Sequence, residues 1–268
     1  MTQCEAIRAV VIIQARVTSS RLPGKILLPL GMGTVLDCVL QRAARIPGVD
    51  LIQLAVPDGP EHQPIVDIAA SHPGVGVSRG PEADVLRRYA IAAEASGADF
   101  IVRITSDCPL IDPEISGQVL SAARLQDGYA RTSFNSGAPL GLDTEAMPAR
   151  ILFAADREAK APQDREHVTP FIWSRPDRFP ATYIDRKPDR RSWRLTLDEQ
   201  PDYELISKIY EILGDRDAHF GLSEMETLLI ERPELLELNK HVNHTPAPRA
   251  LPAATAITDF PMQAITAA

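Results

Sequence analysis

Ala9-Val-Val-Ile-Ile-Gln-Ala-Arg-Val-Thr-Ser-Ser-Arg-Leu-Pro-Gly-Lys25 decides how the chain is read. Ala9 to Ile13 has no polar residue and is mostly β-branched, the pattern of a strand covered on both faces, as in a parallel α/β sheet. Such a strand delivers the next residues of the chain to the carboxyl edge of the sheet, where ligands of this architecture bind. Here those residues form a loop with three cations, Arg16, Arg21 and Lys25, three hydroxyls, Thr18, Ser19 and Ser20, and a Pro23-Gly24 turn. No Asp or Glu occurs between Glu5 and Asp37, although the whole chain carries a formal charge of -8. The loop is a positive field inside an acidic protein, suited to a polyphosphate. Taken alone, two Arg and a Lys also describe an ordinary solvated surface, and it is the strand before them that favours the anion.

With 268 residues, 44% of them hydrophobic, the chain can build a substantial core. Its pI near 5.3 argues against a nucleic-acid surface, which spreads basic residues over a face. Neither a signal-peptide core before Ala9 nor an apolar run of roughly 20 residues is present, so a cytoplasmic protein without a membrane anchor is expected. Cys4, Cys38 and Cys108 have no metal-ligand spacing and suit a reducing compartment.

Strand and helix signals alternate from here on. Thr34 and Asp37 form a capping-box pattern before a helix with Val35, Leu36, Val39, Leu40 and Ala43 on one face. Leu51 to Val56 reads as a second strand, Pro64 to Ala70 as a helix, Gly76 to Ser78 as a marginal strand and Ala83 to Ser96 as a helix. Phe100 to Ile104 is a further buried strand that runs directly into Thr105-Ser-Asp-Cys-Pro109. Tyr129 to Thr132 and Ala181 to Asp185 read as strands, and Trp193 to Leu197 alternates like another that ends on Asp198. Tyr203 to Leu213 is helical. Residues 1–243 are expected to form one domain, and the Ala- and Pro-rich 244–268 a mobile tail.

Five segments in the same order resemble the sugar cytidylyltransferases, the group that includes the acylneuraminate and ketodeoxyoctulosonate enzymes, and within it the spore-coat polysaccharide biosynthesis protein F branch. They are Ile12 to Lys25, Arg103-Ile-Thr-Ser-Asp-Cys-Pro-Leu-Ile111, Gly141-Leu-Asp-Thr-Glu145, Arg165-Glu-His-Val-Thr-Pro170 and Trp193-Arg-Leu-Thr-Leu-Asp198. The resemblance implies a Rossmann-like nucleotidyltransferase fold, α/β, with a mostly parallel central sheet and helices on both faces. It implies CTP as donor, Mg2+ as cofactor and transfer of CMP to an acidic sugar or similar small acceptor, with release of pyrophosphate. Arg16, Ser20, Arg21 and Lys25 match the triphosphate loop, with Gln14 and Ala15 beside it, and Asp107 and Asp198 match the metal carboxylates. Arg16, Arg21, Lys25 and Asp107 are the expected catalytic set. Two positions depart from the sugar-acid enzymes: Thr105 stands where they usually have Gln, and Glu199-Gln-Pro-Asp202 where they usually have Thr-Pro-Glu-Asp.

Each of these residues also has a plainer reading. Asp107 before Cys-Pro suits a turn, and Asp198 equally suits a helix cap. Arg79 and Asp84 are expected near the nucleotide, or else in a surface turn. Asn135, Asp143, Glu145, Arg165 and His167 form a polar set on the expected acceptor side, although His167 is equally an ordinary helical histidine. A homodimer is left open. The rival functions are a nucleotide-sugar-dependent glycosyltransferase, disfavoured by Asp107-Cys-Pro in place of Asp-x-Asp, and a catalytically silent nucleotide-binding protein.

Overall fold

The computed structural model describes residues 7–132, 137–214 and 219–242 and the backbone of 255–258. In chain order the strands and helices are β1 (Ala9–Gln14), β2 (Pro29–Leu30), β3 (Gly33–Thr34), α1 (Val35–Ala43), β4 (Leu51–Pro57), α2 (Gln63–Ala70), β5 (Val75–Gly80) and α3 (Val85–Ser96). Then come β6 (Phe100–Thr105), α4 (Pro113–Gln126), β7 (Tyr129–Thr132), β8 (Glu145–Pro148), α5 (Ala149–Glu158), α6 (Pro162–His167), α7 (Pro170–Trp173), β9 (Ala181–Asp185), α8 (Gln200–Leu213), α9 (Leu222–Glu231) and β10 (Thr255–Thr258).

Eight strands form one sheet in the order β10-β9-β7-β8-β6-β1-β4-β5, and β2 pairs with β3 in a separate hairpin. All pairings in the large sheet are parallel except the two that β8 makes with β6 and β7. From β1 the chain winds outward through β4 to β5 and then returns to lay β6 against the other side of β1. The reversal makes the gap between β1 and β6 a topological switch point, whose carboxyl end is the crevice that such sheets use for ligands.

The sheet is covered on both faces because its strands are apolar on both. In β1, Val11 and Ile13 pack with Leu36 and Leu40 of α1, Ile65 of α2 and Val119 of α4. Val10 and Ile12 face the opposite way, onto Leu86 and Tyr89 of α3, Leu152 of α5 and Phe171 of α7. The capping box at α1 is present: Asp37 Oδ2 accepts from the Thr34 amide at 2.7 Å and Thr34 Oγ1 from the Asp37 amide at 3.2 Å.

Three segments differ from the sequence reading. Among the described residues Trp193–Leu197 joins no sheet and makes a single bridge, Leu140 to Arg194. Its alternation has another cause: Leu195 and Leu197 fill a third core with Leu205, Ile206 and Ile209 of α8 and Met225 of α9. β8 carries no strand signal, being four residues long without a β-branched side chain and ending on Pro148. In the expected tail, Thr255–Thr258 lies parallel to β9 as an edge strand; Thr-Ala-Ile-Thr has the β-branched content that strand pairing favours. The other residues of 244–268 lie outside the described residues.

Glu145, expected on the acceptor side, is instead a bolt within the sheet. It is 3% exposed and accepts from Arg103 Nη1 at 2.6 Å, Arg131 Nη1 at 3.2 Å, Thr169 Oγ1 at 2.8 Å and the Tyr129 hydroxyl. Burial opposes the charge, yet Arg103 and Arg131 outweigh it and hold the carboxyl below its ordinary range. Beside it, Thr132 and Thr144 close the stem of the intervening loop: the Thr132 amide donates to the Thr144 carbonyl at 3.1 Å, and the Thr144 amide to Thr132 Oγ1 at 3.2 Å.

Glu145→Ala should therefore cost about 3–5 kcal/mol in urea unfolding, because it removes the carboxylate shared by buried Arg131 and partly buried Arg103. The lowered pKa adds a pH signature. Stability from Glu145 is complete above its unfolded pKa and is lost as pH falls through the folded value, so the wild type should lose more stability than Glu145→Gln on going from about pH 5 to about pH 3. Parallel acid profiles for the two proteins would contradict this.

Candidate active site

The carboxyl ends of β1 and β6 lie side by side, with Gln14 opposite Thr105 and the Ser106 amide donating to the Gln14 carbonyl at 3.1 Å. The loop after β1 folds back on itself at Pro23-Gly24. Gly24 adopts φ 69°, its amide donates to the Val17 carbonyl at 3.0 Å, and a turn of 3-10 helix begins at Lys25. A positive φ at this point is what glycine supplies without steric cost. The turn brings Lys25 back under the loop, where it is only 8% exposed.

Lys25 Nζ donates to Asp107 Oδ2 at 2.8 Å, to Asp198 Oδ1 at 2.9 Å and to the Leu197 carbonyl at 2.7 Å. The two carboxylates are 91 positions apart in sequence and meet because the Leu197 amide donates to the Asp107 carbonyl at 2.8 Å. Thr105 Oγ1 ties down Asp107 Oδ1 at 2.6 Å, so the departure at position 105 places a hydroxyl on the carboxylate. Asp198 is gripped by Arg21 on Oδ1 at 2.7 Å and by Arg194 on Oδ2 at 2.9 Å. Arg194 is itself fixed by fully buried Asp202, at 2.8 Å and 3.1 Å. Asp202 also accepts from the Asp198 and Glu199 amides at 3.0 Å and caps α8, so the cap is a neighbour of Asp198 and not Asp198 itself. Burial works against the Lys25 ammonium, but Asp107 and Asp198 raise it above its ordinary value; conversely, Lys25 and Thr105 overcome burial and lower Asp107.

A solvent-open pocket covers this junction. Gln14, Ala15 and Arg16 line it together with Ser20, Arg21 and Lys25, and Asp107 and Asp198 stand at its floor. Thus the nucleotide loop and both metal candidates of the sequence reading are brought together. Arg79, Asp84, Asp143, Glu145, Arg165 and His167 are not among the lining residues. Arg79 holds the carbonyls of Pro57 and Gly59 at 3.0 Å. Asp84 caps α3 and pairs with Arg165, whose Nη2 lies 2.6 Å from Asp84 Oδ2 and 2.7 Å from Asp156 Oδ1; this clamp joins α3, α5 and α6. Asp143 accepts from the Gly141 amide at 3.1 Å, His167 is exposed at the end of α6, and Asn135 lies outside the described residues.

Ser19, one of the loop hydroxyls, also lines the pocket, as do Arg88 and Ser106, which the sequence reading did not single out. Arg88 is 1% exposed and is fixed by the carbonyls of Ala55, Pro81 and Glu82 at 3.2, 2.8 and 3.0 Å. Its signal was its place: three residues after Val85 and four before Ala92, it is a charge on the inward face of α3. Cys108 is buried beside Asp107, and burial together with the Asp107 charge pushes its thiol up, the opposite of what a nucleophile needs.

Two carboxylate oxygens and a carbonyl converging on one cation, beneath a loop of further cations, form a site for polyphosphate chemistry assisted by a hard divalent ion. The protein-family model described as Cytidylyltransferase matches residues 10–237. The chain belongs to the cytidylyltransferase family. It is therefore a nucleotidyltransferase. The chain is 34% identical over 230 residues to the spore coat polysaccharide biosynthesis protein SpsF of Bacillus subtilis, covering 83% of this chain and 94% of that one. A 3-deoxy-manno-octulosonate cytidylyltransferase of Maricaulis maris is 33% identical over 116 residues, 42% of this chain and 43% of that one. Among solved structures, a cytidylyltransferase from Leptospira borgpetersenii superposes with a TM-score of 0.82 at 27% identity, covering 89% of this chain and all of that one.

The segment bearing Asp198 depends on a close backbone approach. Gly141 has φ +103°, and a Cβ there would stand 2.4 Å from the Leu195 carbonyl carbon and 2.5 Å from the Thr196 nitrogen. Gly141→Ala should push residues 194–198 off the loop and cost about 2 kcal/mol or more in chemical denaturation. Nucleotide turnover should fall with it. A variant within about 0.5 kcal/mol of wild type and fully active would show that the approach is not required.

Proposed function

We propose that this protein is a CTP-dependent cytidylyltransferase that transfers CMP to an acidic sugar or a similar small acceptor, releasing pyrophosphate, in surface-polysaccharide or related biosynthesis. The observation that carries the reading is the convergence of Arg21 and Lys25 with Asp107 and Asp198 at the switch point between β1 and β6. A cytoplasmic location accords with this role, and no described helix is long and apolar enough to cross a membrane.

In this reading Arg16, Ser20, Arg21 and Lys25 receive the triphosphate, the forked guanidinium groups on non-bridging oxygens and Lys25 as a point charge. Attack of an acceptor oxygen on the α-phosphorus releases pyrophosphate, so cations beside the β- and γ-phosphates stabilise the leaving group as its charge grows. Asp107 and Asp198 are the carboxylates that would hold Mg2+, which supplies Lewis-acid neutralisation at the phosphates when bound. The donor set fits: it consists of hard oxygens held in place by Thr105 and Arg194.

Purified protein with CTP, Mg2+ and a panel of acidic sugars should release pyrophosphate with at least one of them. Release of a nucleoside diphosphate from a nucleotide sugar would favour a glycosyltransferase instead, and CTP binding without turnover a silent binder. Lys25→Ala and Arg21→Ala should weaken CTP far more than CMP, by about 1.5–3 kcal/mol for each lost charge-assisted contact, as read by calorimetry. Equal weakening of both nucleotides would place these cations elsewhere. Asp107→Asn and Asp198→Asn, in protein that keeps wild-type circular dichroism, should each lower turnover at least about a hundredfold.

A further inference from the structure

Lys25 meets the carboxylates, not only the loop above them. Its ammonium touches three oxygens, Asp107 Oδ2, Asp198 Oδ1 and the Leu197 carbonyl, at 2.7–2.9 Å. The other oxygen of each carboxylate is already engaged, Asp107 Oδ1 by Thr105 and Asp198 Oδ2 by Arg194. The inner triad therefore has one common occupant. Two anionic oxygens and one carbonyl are also the donors that a divalent cation takes, and an ammonium and a metal ion cannot share them. The charge count adds to the conflict, since Lys25, Arg21 and Arg194 contact Asp107, Asp198 and Asp202 and leave no net negative charge to draw a metal in.

We propose that Lys25 is a resident cation that occupies the metal seat of the free enzyme, and that the triphosphate draws it off the oxygen triad. The seat then takes a divalent ion far more readily once nucleotide has arrived. The proposal rests on the nucleotidyltransfer reading above; it gives Lys25 two successive partners and makes the Leu197 carbonyl a third donor beside the carboxylates. Arg21 is suited to leave in the same movement. It holds Asp198 Oδ1 at 2.7 Å from a side chain that is 53% exposed, so little burial is lost when it turns to a phosphate. Metal binding and nucleotide binding are thereby coupled through competition for one set of oxygens, and each favours the other by the same factor.

The test is manganese binding to nucleotide-free protein, read from the free-ion signal in electron paramagnetic resonance. Lys25→Met should bind manganese at least about tenfold more tightly than wild type, since it removes the competing cation and leaves both carboxylates. Arg16→Met is the control: it takes the same charge from the same pocket, but Arg16 contacts Glu82 at 3.9 Å and neither carboxylate. Its gain should stay below about threefold, the scale of a screened charge at a distance. Adding Asp107→Asn to Lys25→Met should abolish the gain. Equal gains in Lys25→Met and Arg16→Met, or none in Lys25→Met, would overturn the proposal. A second arm uses wild type only and does not depend on the variant folding. Acetylation of Lys25, read by mass spectrometry against exposed Lys208, should be low in metal-free protein and rise several-fold with saturating manganese. Unchanged labelling would overturn the proposal as well. Both arms read independently of turnover, so failure to release pyrophosphate from CTP would sink the functional reading and not this one.

Discussion

The junction at Lys25 joins parts of the chain that are far apart in sequence. Its ammonium is supplied by the loop after β1, one carboxylate by the end of β6, and the other carboxylate with the Leu197 carbonyl by a segment beyond β9. None of these groups could be buried alone, because an unpaired charge removed from water costs several kcal/mol. Paired, they are stable with little exposure. The same pairing draws Lys25 and the turn that carries it in under the loop.

Around this junction the protein separates what must be rigid from what must respond. Thr105 and the Arg194–Asp202 pair hold the carboxylates from behind, and Asn239 adds a bond to Asp202 at 2.9 Å. Among the described residues the front is held by Lys25 and Arg21, two side chains with long flexible stems. A site of this kind keeps its geometry when those stems move, which a phosphate ligand requires of it.

The strands and the cationic loop were legible in the sequence because their signals are local. An unbroken apolar run at Ala9–Ile13 or Phe100–Ile104 succeeded at once by polar residues says both that a strand is buried and where it ends. Asp198 was legible as a residue through family resemblance, while its surroundings were not: Leu195 and Leu197 alternate as strand residues do, yet they serve a helical core. The charged pairs were the least legible. Arg103 finds Glu145 at 42 positions and Arg165 finds Asp84 at 81, and nothing in the neighbourhood of either partner announces the other. That is why polarity alone did not reveal that Glu145 and Arg165 each sit in an ion pair between distant segments.

The stem closed by Thr132 and Thr144 has a consequence for how members of such a family diverge. Mutual backbone and hydroxyl bonds seal the base of the loop, and Ser116 Oγ meets Thr144 Oγ1 at 2.8 Å from beneath it. Just past the seal, Glu145 anchors β8 to its neighbours. Changes between Thr132 and Thr144 therefore need not shift the register of β7 or β8, since lengthening a closed segment costs only slowly growing entropy. The register of the sheet is thereby insulated from what lies between the two threonines, so variation there need not disturb the carboxyl ends of β1 and β6, where the cationic loop and its carboxylates meet.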